Sequence, residues 1–241
     1  MRLIRGVALG TYYAAGANAA KATPNASQMR GLVYAVKDNR DPPNPKQLVA
    51  HPLHPSPRPV AVDRTNAIEY ITAMLGRRIA RLTSFFGAED PRSITLVPVP
   101  SSEVTETTVE TARFRTLRLC RALAGVGLGT VAVLAVQREP VIAKTKGSRR
   151  TAEQILAGFV RTSTPIPRSD VFVLVDDNVQ SGNSLAALDR LLGASRPTSA
   201  FAVAVTDSHE CKDALKPRAF RIEYDETTRA LDVTCSLGVV R

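Results

Sequence analysis

Short, near-continuous apolar runs punctuate the C-terminal two-thirds of the chain: "SITLVPVP" from Ser93, "TVAVLAV" from Thr130, "VFVLV" from Val171 and "SAFAVAVT" from Ser199. Runs without polar alternation belong to strands buried on both faces. Between them lie stretches with helical spacing. "TETTVETARFRTLRLCRALAG" predicts a helix with Val109, Ala112, Leu117, Leu119 and Cys120 facing inward. "SRRTAEQILAGFV" predicts a short helix, and Ser184 to Leu192 another. Strands alternating with helices imply an α/β fold with a central parallel sheet flanked by helices. After Phe220, "FRIEYDETTRALDVTC" alternates like an antiparallel hairpin at the sheet edge.

The first 90 residues follow another pattern. "SQMRGLVYAVKDN" predicts a short helix capped by Ser27, with Met29, Leu32, Val33 and Val36 as its apolar stripe. "RTNAIEYITAMLGRRIARLTSFFG" predicts one long helix on Ile68, Ile71, Leu75, Ile79 and Leu82, ended by Gly87. Arg77, Arg78 and Arg81 fall on its solvated face. From Asp38 to Val60 the prolines exclude a regular helix or a central strand, so a long loop is expected. His51 and His54 sit in that loop as "HPLH" without further ligands nearby, so a solvated loop is expected rather than a metal site. The expected division is a helical, proline-looped N-terminal region over 1–90 and an α/β core over 91–241.

Charge adds a constraint on partners. The chain of 241 residues carries a formal net charge of +10 and a pI near 10.0, which attracts phosphates on nucleic acids or on small molecules. Aromatic residues are 5% with no tryptophan, which argues against a base-stacking platform. No apolar run approaches the roughly 20 residues of a membrane span. Gly10, Thr11 and two tyrosines interrupt the N-terminal apolar stretch, so neither a signal peptide nor membrane contact is expected. Cys120, Cys211 and Cys235 are too few and too dispersed for a disulfide framework, and a cytoplasmic location is expected.

The most informative stretch is "VFVLVDDNVQSGNSLAALDRLL". Asp176 and Asp177 end an apolar strand, where ligands bind in parallel sheets. Asn178, Val179, Gln180, Ser181, Gly182, Asn183 and Ser184 then turn into a helix. A glycine-containing loop at a helix N-terminus holds anions. Two carboxylates beside an anion hole repel its occupant unless hydroxyls lie between them, which a sugar 5-phosphate with a vicinal diol provides. Simple strand termination leaves the following loop and helix unexplained. A signalling receiver domain, which can also open on "LVDDN", needs more chain than follows Asp176.

This segment resembles the phosphoribosyl-diphosphate (PRPP) signature of type I phosphoribosyltransferases. "GTYY", "YAVKDN", "LVPVPSS", the Thr151-x-x-Gln154 pair and "LVDD" follow an order similar to the ComF-like branch. The resemblance implies a type I phosphoribosyltransferase-like fold with an N-terminal hood. It implies Asp176 and Asp177 on the ribose diol, and residues 178–184 around the 5-phosphate. Pro100, Ser101 and Ser102 correspond to the pyrophosphate loop. Mg²⁺ would bridge pyrophosphate and sugar, touched by the aspartates indirectly. A flexible basic loop with Lys144, Lys146, Arg149 and Arg150 would close over PRPP; an exposed loop that grips polyanions is the other reading of that charge. The activity implied is glycosyl transfer from PRPP, or a ribose 5-phosphate nucleotide as ligand, with an unidentified acceptor and release of pyrophosphate. The alternative is a non-catalytic PRPP- or nucleotide-sensing protein, with nucleic acid contacted through its basic surface. Glu103, a poor neighbour for pyrophosphate, favours that alternative. A homodimer is compatible with both.

Overall fold

The apolar runs come together side by side. In chain order the elements are β1 (Arg2–Tyr13), α1 (Pro24–Lys37), β2 (Gln47–Val49), β3 (Val60–Val62), α2 (Ala67–Gly76), α3 (Ile79–Phe86), β4 (Ile94–Pro98), α4 (Arg115–Gly125) and β5 (Thr130–Val131). There follow β6 (Ala135–Gln137), α5 (Ala152–Gly158), β7 (Phe159–Arg161), β8 (Val171–Val179), α6 (Asn183–Leu192), β9 (Thr198–Asp207), β10 (Arg218–Tyr224) and β11 (Val233–Val239). The computed structural model describes residues 1–13, 23–37, 47–110, 114–140, 150–193, 196–207, 213–225 and 233–239.

Seven strands form one sheet in the order β11-β10-β1-β9-β8-β4-β5. The pairings from β5 across to β1 are parallel. β10 and β11 add an antiparallel hairpin at one edge, as the alternation after Phe220 predicts. Side chains of β8 alternate between two apolar layers. Val171, Val173 and Val175 pack with residues of α1 to α4, and Phe172 and Leu174 with α5 and α6. The sheet is therefore covered on both faces, which explains why its central strands have no polar alternation. Among the described residues no helix is long and apolar enough to cross a membrane.

Several boundaries differ from the sequence-based expectation. β1 runs through the broken apolar N-terminus and lies between β9 and β10, so the sheet takes strands from both sides of residue 90. Its Gly6 fits because the Phe220 ring occupies the space a side chain would need: a Cβ there would lie 2.1 Å from that ring. α1 begins at Pro24, and Thr23 rather than Ser27 caps it, its hydroxyl accepting from the Ala26 N–H at 3.3 Å. The long helix breaks at Arg77–Arg78 into α2 and α3, although Gly87 does end it in the left-handed conformation, with φ 82°. Arg78 is not on a solvated face. Its guanidinium donates to the carbonyls of Leu53 (3.0 Å) and Met74 (2.6 Å), pinning the break. α4 starts only at Arg115; Val109 lies before it in the loop, and Ala112 is outside the described residues. "TVAVLAV" splits: Thr130–Val131 joins the sheet, and β6 pairs with β7 in a separate ribbon.

The "HPLH" loop is also not simply solvated. His51 is 3% exposed. Its Nδ1 accepts from the Leu53 N–H (3.1 Å), so Nε2 carries the proton donated to the Leu9 carbonyl (2.9 Å). His54 stacks on the Tyr70 ring, with centroids 4.2 Å apart. Burial holds the His51 pKa down to about 4. The unfolded chain binds that proton near pH 6.5. Stability is therefore expected to fall as pH drops from 6.5 towards 4, by on the order of 3 kcal/mol. Urea midpoints measured across this window should flatten in His51→Gln; an equally steep loss in the variant would assign the effect elsewhere.

Candidate functional site

The parallel strands β1, β9, β8 and β4 place their carboxyl ends along one edge of the sheet. Cavity walls gather at this edge. One cavity, of 320 Å³, is lined by Asp176, Asn178–Leu185, Ile155, Arg150 and Lys37. A second, of 150 Å³, shares Lys37, Asn178 and Gln180 with it and adds Tyr12, Tyr34 and Thr206.

The loop has its shape for a local reason. Gly182 has φ 79°, a left-handed conformation, and a Cβ there would meet Ile222 Cγ1 at 2.9 Å. Both the turn and the close approach require glycine. α6 starts directly after it without a side-chain cap at Gly182, so an anion can take the cap's place at the positive end of the helix. Ser181 Oγ accepts a long bond from the Asn183 N–H (3.5 Å), and Asn183 Nδ2 donates to the Arg150 carbonyl (2.8 Å). That last bond ties the start of α6 to Arg150.

The acid pair is electrostatically strained. Burial, and then the neighbouring Asp177 carboxylate, push Asp176 up to about 7; the Asp177 N–H and the Lys37 ammonium act against them. The Asp177 N–H donates to Asp176 Oδ1 at 2.8 Å. Asn178 points its Nδ2 to Thr206 Oγ1 (2.9 Å) on β9. A group that donates hydrogen bonds to Asp176, or carries positive charge to it, relieves this strain.

Of the residues singled out from sequence, Asp176, residues 178–184 and Arg150 line one cavity. Asp177 is half-buried beside it and is not part of its wall. Pro100, Ser101 and Ser102 follow β4, next to β8; the Val99 N–H donates to the Val175 carbonyl (2.9 Å), but none of the three lines this cavity. Lys144, Lys146 and Arg149 lie outside the described residues. The Thr151–Gln154 pair has a local role. Thr151 Oγ1 accepts from the Gln154 N–H (3.3 Å) and Gln154 Oε1 from the Thr151 N–H (3.1 Å), a capping box that starts α5.

Lys37, Tyr12, Tyr34 and Thr206 were not singled out as site residues. Lys37 and Tyr34 lie in "YAVKDN" and Tyr12 in "GTYY", stretches that carry the resemblance, but a lysine in the last turn of a helix also has an ordinary helix-end role, so the pattern alone does not place it at the site. Tyr12 and Tyr34 meet edge-to-face with hydroxyls 3.2 Å apart. Among the described residues no group of three or more His, Cys, Asp or Glu side chains could hold a metal.

The fold and site together define an α/β protein with a largely parallel seven-stranded sheet and a polar, anion-suited cavity at its carboxyl edge. Compared with known families and with curated proteins, the chain matches no family model and no curated protein.

Proposed function

We propose that the chain is a type I phosphoribosyltransferase-like protein that binds PRPP, or a ribose 5-phosphate nucleotide, and transfers phosphoribosyl to an acceptor with release of pyrophosphate. The observation that carries this reading is the cavity that joins Asp176 to the left-handed Gly182 loop and the start of α6. The loop and Ser181 and Ser184 hold the 5-phosphate, and Asp176 accepts from a ribose hydroxyl. Asp177, beside it, keeps that carboxyl polarised. Lys37 and Arg150 add positive charge to a cavity that takes a multiply charged anion. Cleavage at the anomeric carbon builds positive charge on the sugar, and positioning plus charge stabilisation is the protein's part. Mg²⁺ fits the donor set only as a partner of the substrate, because it is commonly held by one or two carboxylates together with phosphate oxygens. It would neutralise pyrophosphate charge when bound.

Glu103 is exposed, and Pro100–Ser102 do not line the cavity; both favour the second reading, a non-catalytic protein that senses the same ligand. The two readings separate on pyrophosphate release with a panel of acceptor bases and amines.

Ser181→Ala and Ser184→Ala are each expected to weaken ribose 5-phosphate binding by roughly 1.5–3 kcal/mol, the worth of a hydrogen bond to a charged group. Calorimetric titration reads this directly. Unchanged affinity in both variants would remove the phosphate assignment.

A further inference from the structure

A second cavity lies away from the carboxyl edge, and its chemistry differs from the first. It has a volume of 280 Å³ and opens between β1 and the α2–α3 break. Val7, Leu9, Leu82, Phe85 and Phe201 give it apolar walls. Arg78 and Arg81 also line it, and no acidic residue does among the described residues. Arg78 is already fixed by the Leu53 and Met74 carbonyls, so its charge is held in place before any ligand arrives.

The sheet surface beyond the Val7 end of this cavity carries further positive charge, outside its walls. Arg5 shares the face of Val7, two residues earlier on β1, about 7 Å along the strand. It stands directly opposite Arg221 of β10, and both are exposed. Like charges directly opposite in an antiparallel pair destabilise it. Neither arginine forms an ion pair among the described residues. Glu223, diagonal to Arg5 and opposite Leu3, is one carboxylate against two guanidiniums. The helix layer stops here, because the residues of β10 that alternate with Arg221 point to the other face, where Phe220, Ile222 and Tyr224 are buried.

We infer that this cavity binds a small organic anion with an apolar body, such as a medium-chain acyl carboxylate: the body between β1 and α3, the charged head at Arg78 and Arg81. The walls gain dispersion contacts from an apolar occupant, and the guanidiniums select for an anion. The site is separate from the PRPP reading, and neither depends on the other.

The chain has no tryptophan, so Phe85→Trp places a single reporter in the cavity wall. Decanoate titrated into this variant is expected to shift its emission saturably and to raise the melting temperature of the wild-type protein. Decanol, with the same chain and no charge, should bind several-fold more weakly. Val7→Phe in the same background fills the cavity and should abolish the response. Arg81→Gln, at an exposed position of the cavity wall, should cost about fivefold for decanoate and nothing for decanol, while Arg5→Gln, outside the wall, should change neither. Should Val7→Phe fail to fold, Arg81→Gln decides alone. No saturable response, equal binding of decanol, or indifference to Arg81→Gln overturns the inference. Competition by a DNA duplex would overturn it too, by assigning the face to a polyanion.

Discussion

Asp189→Ala is expected to destabilise the protein by about 3–5 kcal/mol, the cost of leaving a buried partner uncompensated. Asp189 is 1% exposed, inside α6. Its carboxylate accepts from Arg2 Nε (2.7 Å) and a second Arg2 nitrogen (3.2 Å), from Thr198 Oγ1 (2.6 Å) and from the Tyr224 hydroxyl (2.7 Å). One side chain thus joins α6 to β1, β9 and β10. Removing it takes the buried carboxylate from Arg2, whose side chain is 16% exposed and keeps a bond to the Arg196 carbonyl (3.2 Å), and leaves the Tyr224 and Thr198 hydroxyls without this acceptor. Tyr224→Phe deletes one bond and should cost only about 1 kcal/mol. Replacing both Arg2 and Asp189 by methionine should recover much of the single-variant loss, because no buried charge then remains. Chemical denaturation of the wild type, Arg2→Met, Asp189→Met and the double variant gives the coupling directly. A loss below about 1 kcal/mol for Asp189→Ala would mean that water takes over these bonds.

Asp176→Asn is expected to abolish PRPP binding while making the free protein more stable above neutral pH. The folded carboxyl titrates near 7, raised by burial and by Asp177, against about 3.9 in the unfolded chain. Between these values the folded state binds the extra proton, so native stability falls as pH rises from 4 to 7. Asparagine removes that dependence. It keeps an oxygen to accept from the Asp177 N–H, so the fold survives. At pH 8 the variant should gain roughly 1–3 kcal/mol; at pH 4 it should match the wild type. Against the ribose diol, however, it offers no charge and adds a donor. Melting curves with and without PRPP and Mg²⁺, at pH 5 and pH 8, read stability and binding together, since a ligand that binds the native state raises the midpoint. An asparagine variant that melts lower and binds normally would make the pair a structural strand terminator. A wild-type midpoint indifferent to saturating PRPP and Mg²⁺ would count against the whole ligand-site reading.

The site's backbone was legible because its logic is local. An apolar strand, an acid pair, a glycine that must turn left-handed and an amphipathic helix are contiguous, so Asp176, Gly182 and Ser184 could be placed from spacing alone. Thr151 and Gln154 were equally legible as a pair, but their capping box shows that a motif can serve the helix it starts. The long apolar runs of β4, β8 and β9 declared a sheet covered on both faces, since only double burial removes polar alternation.

Position along the chain determined the strand–helix order, the hairpin at the edge and a turn into α6, because each depends on neighbours a few residues away; the strand itself does not end at the acid pair as expected but stays paired with β9 through Val179. Only the tertiary structure decided the rest. β1 carries glycines and a broken apolar pattern, and becomes a central strand because β9 and β10 supply hydrogen bonds on both sides and Phe220 fills the space over Gly6. Lys37 reaches the acid pair, and His51 its acceptor on Leu9, across 139 and 42 residues of sequence. Arg78 leaves the solvent face because the helix breaks where its guanidinium finds two carbonyls. Such contacts are formed by burial and charge between segments distant in sequence, and no periodicity within either segment records them.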